Sequence, residues 1–386
     1  MSEVRFEPLG FNKAELLKRM GEAGLDGVLL TSPENVFYTT GYPALPSSGN
    51  PILYALRNVL PFFSYVSARG KTTLLCWGGA AGGVAYGVDA VKTFSDISGA
   101  YKELASVLSA DLTSSARLGI ESSCPYAVLQ VAGQVVQPEH LVVVDRAMML
   151  TRMVKSPQEV ALLEKSVQVV EQTVAELMDM IHLGIDRPSL MQAAKVGMMR
   201  HGASGISHVT LSFGASNPEV EIYEKLQPGK LVTLDLGAIV SGYYSDNRRL
   251  MFSGEIPPAI TALHQTMCAI VDEVGGALAP GKTFGEVFDL AMSLYDQEGL
   301  KPFIPNIGHT IGLQVEEIWL YPENAALVLE PGIVLNLEMY TVHETGELIG
   351  DEETYVITES GARQITHLPT AIRPVTKTDI SHTFGA

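Results

Sequence analysis

Cysteine is scarce in this 386-residue chain. Cys76, Cys124 and Cys268 are its three, they lie far apart, and none stands in a C-x-x-C spacing. That argues against a disulfide framework or a zinc finger and fits a reducing compartment. Positive charge is also in short supply. Lys and Arg number 26 against 43 Asp and Glu, for a net charge of -17, whereas nucleic acid and anionic membrane both require a basic surface. The same balance raises no objection to metal cations. No apolar run approaches the roughly 18 residues of a membrane span, and "MSEVRFEPLG" lacks the basic start and apolar stretch of a secretory signal. The chain is expected to be soluble and cytoplasmic, with neither nucleic acid nor membrane as partner. Charged residues make up 18% and hydrophobic residues 46%, a composition for buried cores rather than disorder. At about 100–200 residues per domain, two or three domains are expected.

The first 150 residues read as mixed α/β. "FNKAELLKRMGEAGLDGVLLTS" opens with a helix that Asn12 can cap, Glu15 standing three residues on, and "DGVLL", "TTLLCW" and "HLVVVD" read as strands. The clearest boundary is "KSPQEV", where Ser156 is a cap, Pro157 suits the first helical position and Glu159 completes a capping box. Val160, Leu163, Val167, Val170, Val174, Leu177 and Ile181 then step by three and four, a single buried helical face that Gly184 can end. A second helix is expected through "SLMQAAKVGMMRH", then a long hairpin, helices at about 258–275 and 284–298, and a strand-rich end from 305 to 360. The expected domains are 1–150 and 151–386.

Two motifs are decoys. "GALAPGKT", residues 276–283, matches the P-loop pattern, but a P-loop needs a strand before it. Here Ile260, Leu263, Met267, Ile270 and Val274 share one helical face, so the segment reads as a helix end, a turn and a new helix capped by Thr283 with Glu286. "GGAAGG", residues 78–83, lacks G-x-G-x-x-G spacing and reads as a tight turn.

"LDLGAIVSGYYSD", residues 234–246, carries the chemistry. Taken as strands 231–240 and 243–248 joined at Ser241-Gly242, it pairs Gly237 with Asp246 and Asp235 with Arg248. Period-two alternation puts Asp235, Gly237, Asp246 and Arg248 on one face, the aspartates roughly 7–8 Å apart as diagonal neighbours, with a gap at Gly237. Two carboxylates facing one gap repel unless a cation or proton compensates. "PNIGHTIGL" sets His309 in a Gly-bounded segment. "VLNLEMY" puts Asn336, Glu338 and Tyr340 on one face of an apolar strand, where an unpaired acid is costly to bury. "EETYVITES" begins another strand with acids. Hard oxygen donors plus one imidazole suit Mn, Zn, Co or Fe, and four carboxylates match the charge of two divalent ions.

These segments together resemble the pita-bread metallopeptidase family, which includes aminopeptidase P, prolidase, methionine aminopeptidase and the metal-free creatinase. "NVFYTTGY" is similar to a stretch of its N-terminal creatinase-type domain, and "RMVKSPQEVALLEKS" to the start of its catalytic domain. "LDLGAIVSGYYSDNRR", "GHTIGL", "LEPGIVLNLE" and "EETYVITESG" follow in family order. The resemblance implies an α/β fold with a creatinase-like domain followed by a pita-bread domain. It implies Asp235, Asp246, His309, Glu338 and Glu352 as metal ligands, with strand parity leaving Glu352 and Glu353 as alternatives and the family's Glu-Asp-Thr step falling on Glu352. It further implies two divalent ions holding a bridging water, Glu338 as proton shuttle, a small-molecule or dipeptide substrate, and a homodimer. Three substrate-handling positions depart from the pattern. Pro218 or a neighbour stands in place of a histidine, with His208 earlier in the chain; Glu316 replaces a second histidine; and Gly350 replaces an arginine. His208 and Glu316 join Glu338 as candidate catalytic residues. The implied activity is hydrolysis of a small amide or an Xaa-Pro bond. The alternatives are creatinase-like C–N hydrolysis or a lyase reaction like that on dimethylsulfoniopropionate, and a non-catalytic binding module.

Overall fold

A computed structural model describes residues 4–377. The chain forms two compact units, Met1–Arg152 and Met153–Ala386, and both mix helices with sheet.

In the first unit six strands lie in the order Ala90–Phe94, Thr72–Trp77, Phe63–Ser67, Gly27–Leu30, Leu118–Ile120, Leu141–Val143. Phe63–Ser67 runs antiparallel to both neighbours and the other pairs are parallel. Leu104 and Leu108 of helix Ile97–Ser109 and Val128 and Val131 of helix Tyr126–Ala132 form a core with Leu29, Leu75 and Leu118. The first helix spans Lys13–Ala23, and Asn12 accepts from the Glu15 N–H at 3.1 Å. The Glu15 carboxylate turns away to Arg19 and Lys18, within one turn of it. Residues 78–83 are more than a tight turn: Gly78–Ala81 makes one helical turn directly after its strand.

The second unit opens with helix Pro157–Met180, where Ser156 and Glu159 form both halves of the capping box. It stops at Met180, before the expected glycine, because Ile181 turns extended. The next helix, Arg187–Arg200, starts two residues ahead of the expected Ser189, since Asp186 caps it and Pro188 fits its first turn. Val170, Val174 and Leu177 of the first helix and Leu190, Ala194 and Met198 of the second pack on Leu211, Leu234 and Leu236.

Those leucines belong to a five-stranded sheet. Leu231–Val240 lies at its middle, Gly205–Phe213 on one side and Tyr243–Tyr244 and Asn247–Ser253 on the other, and Arg373–Val375 follows parallel to Asn247–Ser253. A four-stranded antiparallel sheet runs Gly308–Thr310, Val334–Val342, Leu348–Thr358, Gly361–Gln364, with helix Pro258–Ala277 against it. Thr283 and Glu286 form a reciprocal capping box on helix Phe284–Gln297. Residues 276–283 are thus the end of one helix, a turn and the cap of the next, with no strand to aim phosphate-binding amides. Among the described residues no helix is long and apolar enough to cross a membrane.

Candidate metal centre

The Asp235 hairpin has the register its sequence dictates. Asp235 pairs with Arg248 and Leu236 with Asn247, while Ile239 and Val240 pair with Tyr244 and Tyr243. Ser241 and Gly242 have φ of 50° and 93°, the left-handed pair that a two-residue hairpin turn needs. Asp246 sits in a two-residue break of the return strand.

The gap at Gly237 is not open. His208 stands opposite Gly237 on the neighbouring strand Gly205–Phe213, and a Cβ at 237 would fall 2.5 Å from the imidazole Cε1. The ring takes that room, its Nε2 3.0 Å from Asp235 Oδ1 and 3.2 Å from Asp246 Oδ1. Counting residues back from Asp235 misses this, because strand pairing rather than chain distance brings His208 in. The signal was present in "ISHVTLSF", which alternates with period two. His208, Thr210 and Ser212 line the cavity, and Leu211 and Phe213 enter the core.

The second sheet supplies the remaining groups. His309 pairs with Asn336 and Glu338 with Glu352. The His309 ring is wholly buried, its Nε2 3.5 Å from Asp246 Oδ2. Asn306, which sequence reading did not single out, donates Nδ2–H to Glu338 Oε1 at 3.3 Å. The Tyr340 hydroxyl donates to Glu352 and lies 3.4 Å from Glu338 Oε2. Glu353 points to the other side of its strand, where Arg249 and Gln364 bond it. Of the two adjacent acids it is Glu352 that meets Asp235, Asp246 and Glu338.

Electrostatics marks this as a place for cations. Burial, then the charges of Asp235, Asp246 and Glu338, holds Glu352 well above the usual carboxylate range. Burial likewise lifts Glu338 to about 7, with His309 opposing and Asp246, Glu316 and Asp235 assisting. Burial alone would lower His309, but Asp246 and Glu338 outweigh it and raise it to about 9. Burial would raise Asp246, but His208 and His309 depress it. Two buried atoms, His309 Nε2 and Glu352 Oε2, have no hydrogen-bond partner. Unpartnered buried polar atoms are destabilising, and an imidazole nitrogen with carboxylate oxygens is the donor set of a borderline-hard divalent ion. The residues present fit such ions.

Among the described residues two groups of side chains could hold a metal ion, each with its donor atoms within 4.8 Å of one another. One is His208, Asp235 and Asp246; the other is His264, Cys268 and Asp351. They differ in their surroundings. Asp351 is already paired with Arg249 at 3.1 Å, and burial followed by Arg248 and Arg249 lowers His264 to about 4. The first group instead adjoins the unpartnered donors of His309 and Glu352.

A cavity of about 550 Å³ opens over the first group, lined among others by Pro218, Glu316, Phe303, Ile304, Arg248 and Tyr340. Glu316 accepts from the Trp319 indole N–H at 2.5 Å.

This geometry, two acid-bearing sheets converging with the imidazoles of His208 and His309, belongs to a class of metal-dependent hydrolases. Residues 161–359 match the model of the metallopeptidase family M24, and residues 13–154 match the creatinase/prolidase N-terminal domain. The chain belongs to this creatinase, prolidase and aminopeptidase P family of pita-bread metallopeptidases, and it is a metallohydrolase by that membership. It is 26% identical over 372 residues to the uncharacterized peptidase YqhT of Bacillus subtilis, covering 92% of this chain and 98% of that one. It is 24% identical over 362 residues to an Xaa-Pro dipeptidase of Pyrococcus horikoshii, covering 91% and 95%. Among solved structures, a dipeptidase from Pyrococcus horikoshii superposes with a TM-score of 0.81 at 21% identity over 94% of this chain and 99% of that one. An Xaa-Pro dipeptidase from Bacillus anthracis does so at 0.79 and 19%, over the same shares; these two likenesses speak for the fold.

Proposed function

We propose that the second unit binds two divalent ions (Mn, Zn, Co or Fe) through Asp235, Asp246, His309, Glu338 and Glu352, and hydrolyses the amide bond of a small amide or an Xaa-Pro dipeptide. The observation that carries this is the pair of buried, unpartnered donors, His309 Nε2 and Glu352 Oε2, set among Asp235, Asp246 and Glu338. When bound, the ions supply Lewis acidity that polarises a carbonyl and activates water near neutral pH. The chain's residues do the rest. Glu338, whose carboxylate accepts from Asn306 at 3.3 Å, carries a proton from the attacking water to the leaving amine. His208, its Nε2 3.0 Å from Asp235 and 3.2 Å from Asp246, holds the aspartates in place. Tyr340 fixes Glu352 through its hydroxyl. Glu316, in the cavity wall, faces a cationic group of the substrate. The names borne by the relatives favour an Xaa-Pro peptide.

A second reading, C–N hydrolysis or elimination on a non-peptide substrate, draws on the altered substrate-handling positions, of which Pro218 and Glu316 line the cavity and Gly350 lies beside Tyr340 of that wall. A cytoplasmic homodimer completes the proposal and is checked by light scattering of the purified protein.

The test is elemental analysis followed by chelation and refilling. Two equivalents of a transition metal, and turnover of an Xaa-Pro panel that chelation abolishes and Mn or Co restores, is the expected result. Turnover confined to small amides or betaines moves the assignment to the second reading. Absence of stoichiometric metal, with no activation by Mn or Co, removes the proposal.

A further inference from the structure

Arg248 stands in the same cavity wall and has no role in holding the ions. It lies opposite Asp235 on the return strand, lines the cavity and is only 4% exposed. Its neighbour Arg249, equally buried, is paired with both Asp351 and Glu353. Arg248 makes no such ion pair among the described residues. One terminal nitrogen donates to the Leu348 carbonyl at 2.8 Å, the guanidinium stacks over the Tyr340 ring at 4.4 Å from its centroid, and Nε is buried without a partner. Asp235 and Glu352 are near enough for their charges to act on it, yet no carboxylate bonds it; a buried guanidinium without such a bond is expensive to keep, and its planar fork is shaped for one.

The setting holds that fork still. Gly350 lies opposite Tyr340 in the ladder, and a Cβ at 350 would fall 2.6 Å from Tyr340 Cδ1. The missing side chain gives the ring its place, and the ring gives the guanidinium a platform. Of the two basic side chains among the cavity-lining residues, His208 is engaged by Asp235 and Asp246. Arg248 is the other. Two divalent ions would match the four acids of the centre, leaving the Arg248 charge for something that enters from outside.

We propose that Arg248 binds a carboxylate of the substrate. With Glu316 facing a cationic end, the substrate class is then a zwitterionic amino-acid derivative. This rests on the reading of the cavity as a hydrolase site.

The probes are glycyl-L-proline and glycyl-L-prolinamide, which differ at the carboxylate. They are titrated calorimetrically into the manganese-loaded protein and its Arg248→Met and Arg248→Lys variants, with metal content measured on the same samples. The wild type should bind the acid more tightly than the amide by roughly ten- to a hundredfold, the worth of a hydrogen bond to a charged group. Arg248→Met should bring that ratio below about twofold, within the uncertainty of two such titrations, with amide affinity unchanged. Arg248→Lys, which keeps the charge and loses the fork, should fall between, and it decides the matter where Arg248→Met loses metal. A ratio that neither variant changes, equal wild-type affinities, or no binding of either probe overturns the assignment. Turnover is scored separately. An Arg248-dependent preference without turnover of glycyl-L-proline removes the Xaa-Pro substrate and leaves this assignment standing; turnover without the preference does the reverse.

Discussion

Asp351, Glu352 and Glu353 are consecutive, acidic and almost wholly buried, yet the two faces of their strand live under different rules. On one face Arg249 bonds Asp351 at 3.1 Å and Glu353 at 2.8 Å, and Gln364 and Thr366 complete Glu353. On the other, Glu352 meets Asp235, Asp246 and Glu338 and keeps one oxygen unpartnered. Burial treats the three alike, and the opposite charge decides. Where the chain supplies its own cation the acid is structural. Where it supplies too little, the site calls for cations from solution.

The largest expected effect lies on the unpaired face. Asp246→Ala removes the acid shared by the His208 and His309 contacts. Metal content should fall from two equivalents to less than one by elemental analysis. Hydrolysis should drop by more than the roughly 10–100-fold that loss of an outer-shell partner costs. Full metal content in this variant would break the comparison at its root.

On the paired face the corresponding loss is one of stability. Arg249→Met leaves Asp351 and Glu353 without their cation, and breaking a buried pair costs about 3–5 kcal/mol. Urea unfolding of the metal-free protein should show that loss. Adding Asp351→Asn should recover part of it, since the two changes share one interaction.

His264 extends the paired face to pH. Burial first, then Arg248 and Arg249, lowers it to about 4 from an ordinary 6.5. Between those values the unfolded chain takes up a proton that the folded one refuses. Its contribution to stability is therefore present above pH 6.5 and lost as pH falls through 4, by at most about 3 kcal/mol. His264→Gln should flatten that part of the stability–pH curve. An unchanged slope would mean that His264 is not held neutral by its surroundings.

Much of this was legible in the chain. Capping residues marked helices Lys13–Ala23, Pro157–Met180 and Phe284–Gln297, because a cap is a local hydrogen bond written in two or three neighbouring residues. The hairpin register at Asp235 followed from a Ser-Gly turn and period two. What local pattern left open depends on pairing between distant segments. His208 reaches the aspartates only because Gly205–Phe213 lies beside Leu231–Val240, and the choice between Glu352 and Glu353 needed the ladder to Glu338. Asn306 gave no pattern at all, being a lone amide in an irregular stretch.

The finest test makes the same conservative change at neighbouring residues. Glu353→Gln replaces an acceptor of hydrogen bonds from Arg249, Gln364 and Thr366 with a group that brings its own donors. It should cost the metal-free protein about 1–3 kcal/mol and leave metal content intact. Glu352→Gln replaces a carboxyl already pushed toward its neutral form by burial and three acids. The metal-free protein should lose almost no stability, within about 0.5 kcal/mol, while metal uptake falls. Urea unfolding and elemental analysis of the two variants side by side give four numbers. If both variants lose stability alike and both keep their metal, the faces of this strand do not differ as their partners imply, and the division between structural and metal-seeking acids fails.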